Sequence, residues 1–241
     1  SAPPTLNARI GGLNSGVSAP RNVISGNTRC GIEVVSGQGH VIEGNLIGLA
    51  AFPIATIPNL GPGIEVRGGD TMRIGAANAG EISNAIVGNL GPGMLVAESA
   101  VAPQYISVYG NSIFANEGLQ IDLGPAGVTP NDPLDVDVGP NGLQNFPVLT
   151  GVGLVPGGTQ ILGRIDSAPG VAYFIDFYSV VDCDASGHGG ASSYLGYVNI
   201  STDAGGSAVF GAEFVDAPTA GFAAATATPA PWGPAAGFSR G

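Results

Sequence analysis

Between residues 131 and 141 the stretch NDPLDVDVGPN brings Asn131, Asp132, Asp135, Asp137 and Asn141 close together. Hard cations such as Ca2+ take about six to eight oxygen ligands, and clustered carboxylates and carboxamides can supply them. The spacing is not that of an EF-hand loop, and Asp and Asn also build Asx turns. The stretch therefore carries two readings, a calcium site or a turn-rich connector. A bound cation would brace the segment joining two domains.

Carboxylates recur elsewhere. Glu33 and Glu65 hold the same place in two copies of GIEV, at 31 to 34 and 63 to 66, which stacks them one coil apart if the copies are structural repeats. Glycoside hydrolysis needs two carboxyl groups at a fixed separation, and stacked carboxylates raise a pKa or collect a cation. Alternation turns both side chains away from the neighbouring Ile and Val, so a solvated outer face, open to a ligand or partner, is the plainer role. His188 lies in a GHG tripeptide similar to a polygalacturonase motif, but the Asp pair and Arg-x-Lys element of that motif are missing; the chain has no lysine. His40 and His188 then read as a corner and a turn residue. Arg67 or Arg73 would serve as the base of a calcium-dependent lyase only beside an acidic cluster, and none adjoins them in sequence. Aromatic rings offer sugar-stacking faces. Trp232, in PAPWGPAAG, is the candidate for partner contact, whereas Tyr173, Tyr178, Tyr194 and Tyr197 sit in alternating segments whose default is packing. No residue set completes a catalytic apparatus.

Composition narrows the partners. The net charge is −11, with seven arginines as the only fixed cations, so a phosphate-tracking groove has little to be built from and nucleic acid is excluded. No apolar run is long enough for a helical membrane span. Only 10% of residues are charged and 41 are glycine, but 44% hydrophobic content with regular Ile and Val spacing indicates a folded, turn-rich β protein. Cys30 and Cys183 form no metal or redox spacing. The start, SAPPTLNARIGG, has the character of what remains after cleavage behind a small-residue site.

The elements that must position these residues come from a repeat. NLGPGIEV at 59 to 66 returns as NLGPGMLV at 89 to 96, and partial copies begin with Gly31 and Gly118. Two further strand patterns accompany this one: a second in RIGG, HVIEGNLIG, MRIGA and YISVYGN, and a third in NVISGN, ATIPN, NAIVGN and NSIFAN, each copy ending in Asn27, Asn59, Asn89 or Asn116. Three short strands per period of roughly thirty residues, with Gly and Asn at the corners, predict a parallel β-helix of about three coils over residues 1–124, roughly 15 Å tall. Stacked Asn side chains would hydrogen-bond from coil to coil.

Residues 125–148, rich in Pro, Gly, Asn and Asp, read as a cap and linker. Beyond them TQILGRID, AYFIDFYSVV, SSYLGYVNIS, SAVFGAEF and GFAAATAT alternate between turn signals, which predicts an antiparallel immunoglobulin-like β-sandwich over 149–241.

The succession NVISGN, GIEV, IEGNLIG, GLQIDLG, TPNDPLDVDVGPNGLQNFPVL and FIDFYSVVDCDASGHG resembles the secreted bacterial right-handed parallel β-helix repeat proteins that carry a C-terminal β-sandwich. The likeness covers nearly the whole chain and is most specific from Asn131 to Leu149. It implies export and an extracellular or cell-surface location. It also implies a further cysteine near the last strand as partner for Cys183, where this chain has GFSRG. The coil begins with a second-pattern strand at residue 9, and an uncovered coil end is a template for another chain. The expected function is an extracellular, non-catalytic structural or adhesive protein that self-assembles head-to-tail into a fibre. The competing class is a carbohydrate-active module that binds or modifies an extracellular polysaccharide.

Overall fold

A computed structural model describes residues 6–12, 21–51, 55–76, 82–181, 186–215 and 221–230. The chain is all-β, with parallel sheets in its first half and antiparallel sheets in its second. It divides into two compact units, one chiefly of residues 1–129 with 139–141 and the other of 130–138 with 142–239. The stretch 125–148 is thus shared between them.

In the first unit twelve short strands are dealt in turn to three parallel sheets of four. One sheet takes β1 (Arg9–Ile10), β4 (Val41–Ile42), β7 (Asp70–Gly75) and β10 (Gln104–Tyr109). A second takes β2 (Asn22–Ile24), β5 (Asn45–Ile47), β8 (Ala85–Val87) and β11 (Ser112–Phe114), and the third β3 (Ile32–Val34), β6 (Ile64–Val66), β9 (Met94–Val96) and β12 (Ile121–Leu123). Each sheet is therefore four rungs deep, as the four copies of each pattern suggest and one more than the roughly three coils expected. Register stacks like on like. Ile24, Ile47, Ile86 and Ile113 form one column, and Val34, Val66, Val96 and Leu123 another. All three sheets contribute to one apolar core, in which β-branched residues fit a pleated, crowded surface.

Polar corners hold this stack in register. Asn27, Asn59, Asn89 and Asn116 form a column in which each Nδ2 donates to the Oδ1 of the next, at 2.7 to 2.8 Å. A second column, missed in the sequence, joins Asn22, Asn45, Asn84 and Asn111 at 2.9 Å. The Gly that enters each of the first three third-sheet strands is required by space. A Cβ on Gly63 would lie 2.4 Å from Ile86 Cγ2 and 2.7 Å from the carbonyl oxygen of Gly93. The repeated Gly-Pro-Gly is a stacking corner.

Two repeat copies were misaligned by sequence. The strand preceding Asn59 is Asn45–Ile47 and not ATIPN; the chain then leaves the coil, with Leu49 and Thr56 paired antiparallel, and returns at Asn59. The pattern HVIEGNLIG accordingly holds two strands separated by a corner. In the last coil Ile121, rather than a residue nearer Gly118, aligns with Met94, and the backbone of Gln120 takes the place of Gly93.

The second unit has two antiparallel sheets around one core. One holds β13 (Val148–Val155), β14 (Gly158–Asp166) and β17 (Ser207–Val215); the other holds β15 (Ala172–Val180), β16 (Ser193–Ser201) and β18 (Phe222–Pro229). Alternation sends Ile161, Ile165 and Phe210 from one sheet against Tyr173, Ile175 and Phe177 from the other. Phe177 meets Phe210 and Phe214 with ring centroids 5.7 and 5.2 Å apart. Strand β13 escaped the sequence pattern because Gly151 and Gly153 interrupt its alternation.

Candidate functional site

The acidic stretch is organised within the second unit, starting from a strained backbone. Pro133–Asp135 make one 3-10 turn in which Leu134 and Asp135 have φ of 65° and 55°. A non-glycine residue in that region costs on the order of 1 to 3 kcal/mol and persists only where its surroundings hold it. Asn145, buried, does much of the holding. Its Nδ2 donates to the carbonyls of Asp132 and Asp166 at 2.7 and 2.8 Å, and its Oδ1 accepts from the Asp132 backbone N–H at 3.1 Å. Its own backbone N–H donates to Asp135 Oδ1 at 3.1 Å. Ser167 Oγ donates to Asp135 Oδ2 at 2.5 Å, so the Tyr173 hydroxyl, 2.8 Å away, must donate to Ser167.

This scaffold brings one carboxylate oxygen each from Asp132, Asp135 and Asp137 within 4.8 Å of one another. Asp132 Oδ2 accepts from the Val136 N–H at 3.2 Å. By contrast, Asp132 Oδ1 and Asp137 Oδ1 are buried without a hydrogen-bond partner. Burial pushes the Asp135 carboxyl above the usual carboxylate range, against the pull of its bonds from Ser167 and Asn145, with Asp132 adding repulsion. Asp137 is raised by burial and by the charges of Asp132 and Asp135. Crowded carboxylates of this kind are relieved by protons or by a cation. The two asparagines do not join them. Asn131 exchanges both amide atoms with the backbone of Phe146, at 2.9 Å each, and Asn141, in the other unit, brackets the backbone of Ile106 at 2.8 and 3.2 Å.

Glu33 and Glu65 are adjacent in register, as the repeat implies. They are not an isolated carboxylate pair, because Arg67 lies between them, with Nε 3.1 Å from Glu33 Oε1 and Nη2 2.5 Å from Glu65 Oε1. Arg29 adds a second cation 3.2 Å from Glu33. Glu65 is buried, contrary to the solvated face expected of it, with its carboxylate paired to the Arg67 guanidinium. The Cys30 thiol, beside this group, is raised by burial and then by the charges of Glu65 and Glu33.

A carboxylate that sequence reading passed over is fully buried. Glu43, at the corner between β4 and β5, is paired with Arg9 on one oxygen and with Arg73, at 2.8 Å, on the other. The available signal was positional: Arg9 and Arg73 occupy the same register in rungs on either side of Val41, two residues before Glu43. His40 is buried, with Nδ1 accepting from the Ala8 N–H and Nε2 donating to the Ser36 carbonyl, both at 3.1 Å. His188 packs edge-on against Phe146, centroids 4.9 Å apart. Of the four tyrosines, Tyr173 and Tyr178 are buried. Tyr194 is exposed and donates to Asp176 at 3.0 Å. Trp232 and Cys183 lie outside the described residues.

No protein-family model matches the chain, and no curated protein matches it. Among the described residues no helix is long and apolar enough to cross a membrane.

Proposed function

We propose that the protein is a non-catalytic structural or adhesive component of an extracellular surface, built as a right-handed parallel β-helix followed by an immunoglobulin-like sandwich. One observation carries this reading: among the described residues, the buried glutamates and the histidine of the coil are committed to intrachain partners. Glu43 is held by Arg9 and Arg73, Glu33 and Glu65 by Arg67, and both ring nitrogens of His40 by backbone. General acid–base catalysis needs a titratable group within reach of substrate and free to exchange its proton. The repeated interior bonds instead suit a rod that resists unfolding. Export follows from the resemblance of the repeat and junction to secreted β-helix proteins. The test is incubation with acidic and neutral polysaccharides, read as new reducing ends and unsaturated uronate absorbance. Turnover that disappears in Glu43→Gln or Glu65→Gln overturns the reading in favour of a carbohydrate-active enzyme; binding without turnover keeps it and identifies an adhesive role.

The aspartate loop supports an addition to this role. Asp132, Asp135 and Asp137 hold a hard divalent cation, Ca2+ by its preference for carboxylate oxygen, and the cation stiffens the loop between strands and coil. The buried Oδ1 atoms of Asp132 and Asp137, left without a donor, favour it. Calorimetric titration with Ca2+ at neutral pH tests it. Heat of binding that is lost in Asp137→Asn supports the site, and no heat in the parent protein removes it.

A further inference from the structure

Strand β13 is an edge strand that its sequence leaves undefended along the middle. It pairs with β14 on one side, and VLTGVGLV carries no charge. A sheet edge is a template for a further strand, and charge, Pro or a bulge is the usual defence. Here the defences stand only at the ends. The register shifts between Leu149 and Gly151, and Pro156 follows Val155 in the tight turn to β14. Between them lies an open window, residues 151–155, centred on Gly153.

The backbone of that window faces outward at two residues. A two-residue turn makes Val155 and Gly158 a hydrogen-bonded pair, and such pairs alternate along an antiparallel ladder. Gly153 with Gln160 and Gly151 with Leu162 therefore exchange bonds, while Val152 and Leu154 turn their N–H and carbonyl groups away from β14. Those outward groups have no hydrogen-bond partner among the described residues. The two side chains lie on the core-side face, opposite Ile161 and Thr159, which are buried. Val152 is nevertheless 57% and Leu154 70% exposed. Backbone and apolar side chains are thus uncovered together on one edge.

We infer that β13 pairs antiparallel with β13 of a second copy, about a two-fold axis through Gly153. Self-matching names the occupant. With the axis there, Val152 stands opposite the partner's Leu154, and Leu154 opposite the partner's Val152. Both are residues whose backbone groups point outward, so each pair exchanges N–H and carbonyl as a hydrogen-bonded antiparallel pair does. Opposed side chains share a face, so each exposed apolar group covers another. Gly153 meets its own image in the closer, non-hydrogen-bonded position, where no side chain stands in the way. The bulge and the turn bound the window equally on either side of Gly153, so it accepts its own image along its full length. An isologous contact of this kind closes at two copies. It goes beyond the structural role proposed above and places self-association at an edge of the second unit, away from the coil end.

Sedimentation velocity on the full chain across a concentration range tests the pairing. Mass should rise to twice that of the chain and stop. Leu154→Lys and Val152→Glu each set a charge opposite an apolar residue. Each should weaken the dimer about tenfold or more at unchanged melting temperature, since both side chains are exposed. The double variant sets Glu opposite Lys on both sides of the axis and should recover most of that loss, which this register alone provides. Gly153→Cys, when oxidised, should cross-link the dimer at that residue, because the non-hydrogen-bonded position brings Cα atoms about 4.5 Å apart, within reach of a disulfide. A monomer at millimolar concentration overturns the inference, as does growth beyond two copies. A double variant no better than the single ones, or a Gly153→Cys protein that does not cross-link there, overturns it too. Polysaccharide turnover is scored separately, so loss of the dimer leaves the non-catalytic reading standing.

Discussion

The asparagine columns of the coil and the aspartate loop of the second unit both bury short polar side chains, and they treat them oppositely. In the columns Asn45, Asn59, Asn84 and Asn89 sit fully buried, and each amide is answered by the same atoms one rung away. In the loop two carboxylate oxygens are buried with nothing to answer them. Burying an unpaired polar group costs about 1 to 3 kcal/mol. A fold accumulates such groups at one place only where something else is gained. Polar residues repeated with the coil therefore report architecture, and polar residues that occur once, unsatisfied, report a site.

The largest break of this contrast comes from the middle of a column. Asn89→Ala removes the acceptor for Asn59 Nδ2 and for its backbone N–H, and the donor to Asn116. With two buried donors orphaned, the loss of stability should be on the order of 3 kcal/mol. The same change at Asn27, which is exposed and makes its column bonds in one direction only, should cost about 1 kcal/mol. Urea denaturation midpoints compare the two, and equal losses would mean that the columns are decorative.

Next comes Gly63→Ala, where the added methyl meets Ile86 and the Gly93 carbonyl and should cost about 2 kcal/mol. Gly153→Ala is its control. Nothing lies within 4 Å of a Cβ there, and the change should stay within about 0.5 kcal/mol of neutral. A Gly63 variant as stable as the Gly153 variant would show that the corner has slack the packing does not reveal.

Sequence was informative where the physics is local and repeated. Ile and Val spaced by two, with Gly and Asn at the bends, announce three faces because each rung must solve the same steric problem. It misled where one rung solved that problem differently: the excursion after Gly48 hid the second-sheet strand at Asn45, and Gln120 filled a place that Gly holds elsewhere. The loop was half legible. Three aspartates in a short Pro- and Gly-rich stretch mark an acidic turn, but their convergence depends on Asn145 and Ser167, and Ser167 lies beyond strand β14. Nothing in the local pattern tells Asn131, which mimics backbone for Phe146, from a cation ligand. Glu43 was invisible for a related reason: its two arginines lie in the preceding and following coils.

The loop yields a pH prediction of opposite sign to that of a salt-bridged carboxylate. Asp135 and Asp137 have folded pKa values raised above the unfolded value of about 3.9. The folded chain then holds more protons than the unfolded chain between the two values. Stability is fully present below the unfolded value and declines as pH rises through the raised ones. Asp122, raised by burial, adds to the same slope. Thermal melts without divalent cations should therefore show falling stability over that interval. Ca2+ at ten times its dissociation constant should restore roughly 1.4 kcal/mol at neutral pH. Asp137→Asn should melt higher than the parent without the cation and gain nothing from it. A parent protein equally stable at both ends of the interval, with or without Ca2+, would place the aspartates among ordinary turn residues.

The smallest effect tests the claim that paired groups in the coil are inert. Cys30 is held mostly as the thiol by burial and by the charges of Glu65 and Glu33, and the thiolate is the species that alkylates. Glu65→Gln removes the nearer charge and leaves burial as the main barrier, so alkylation of Cys30 by iodoacetamide at mildly alkaline pH should quicken by a few fold. Peptide mapping separates this site from Cys183. Arg67→Met should act in the reverse direction, because the guanidinium that offsets both carboxylates is gone. If both variants quicken the reaction alike, local opening of the strand controls access to Cys30, and the carboxylates beside it have no hold on its chemistry.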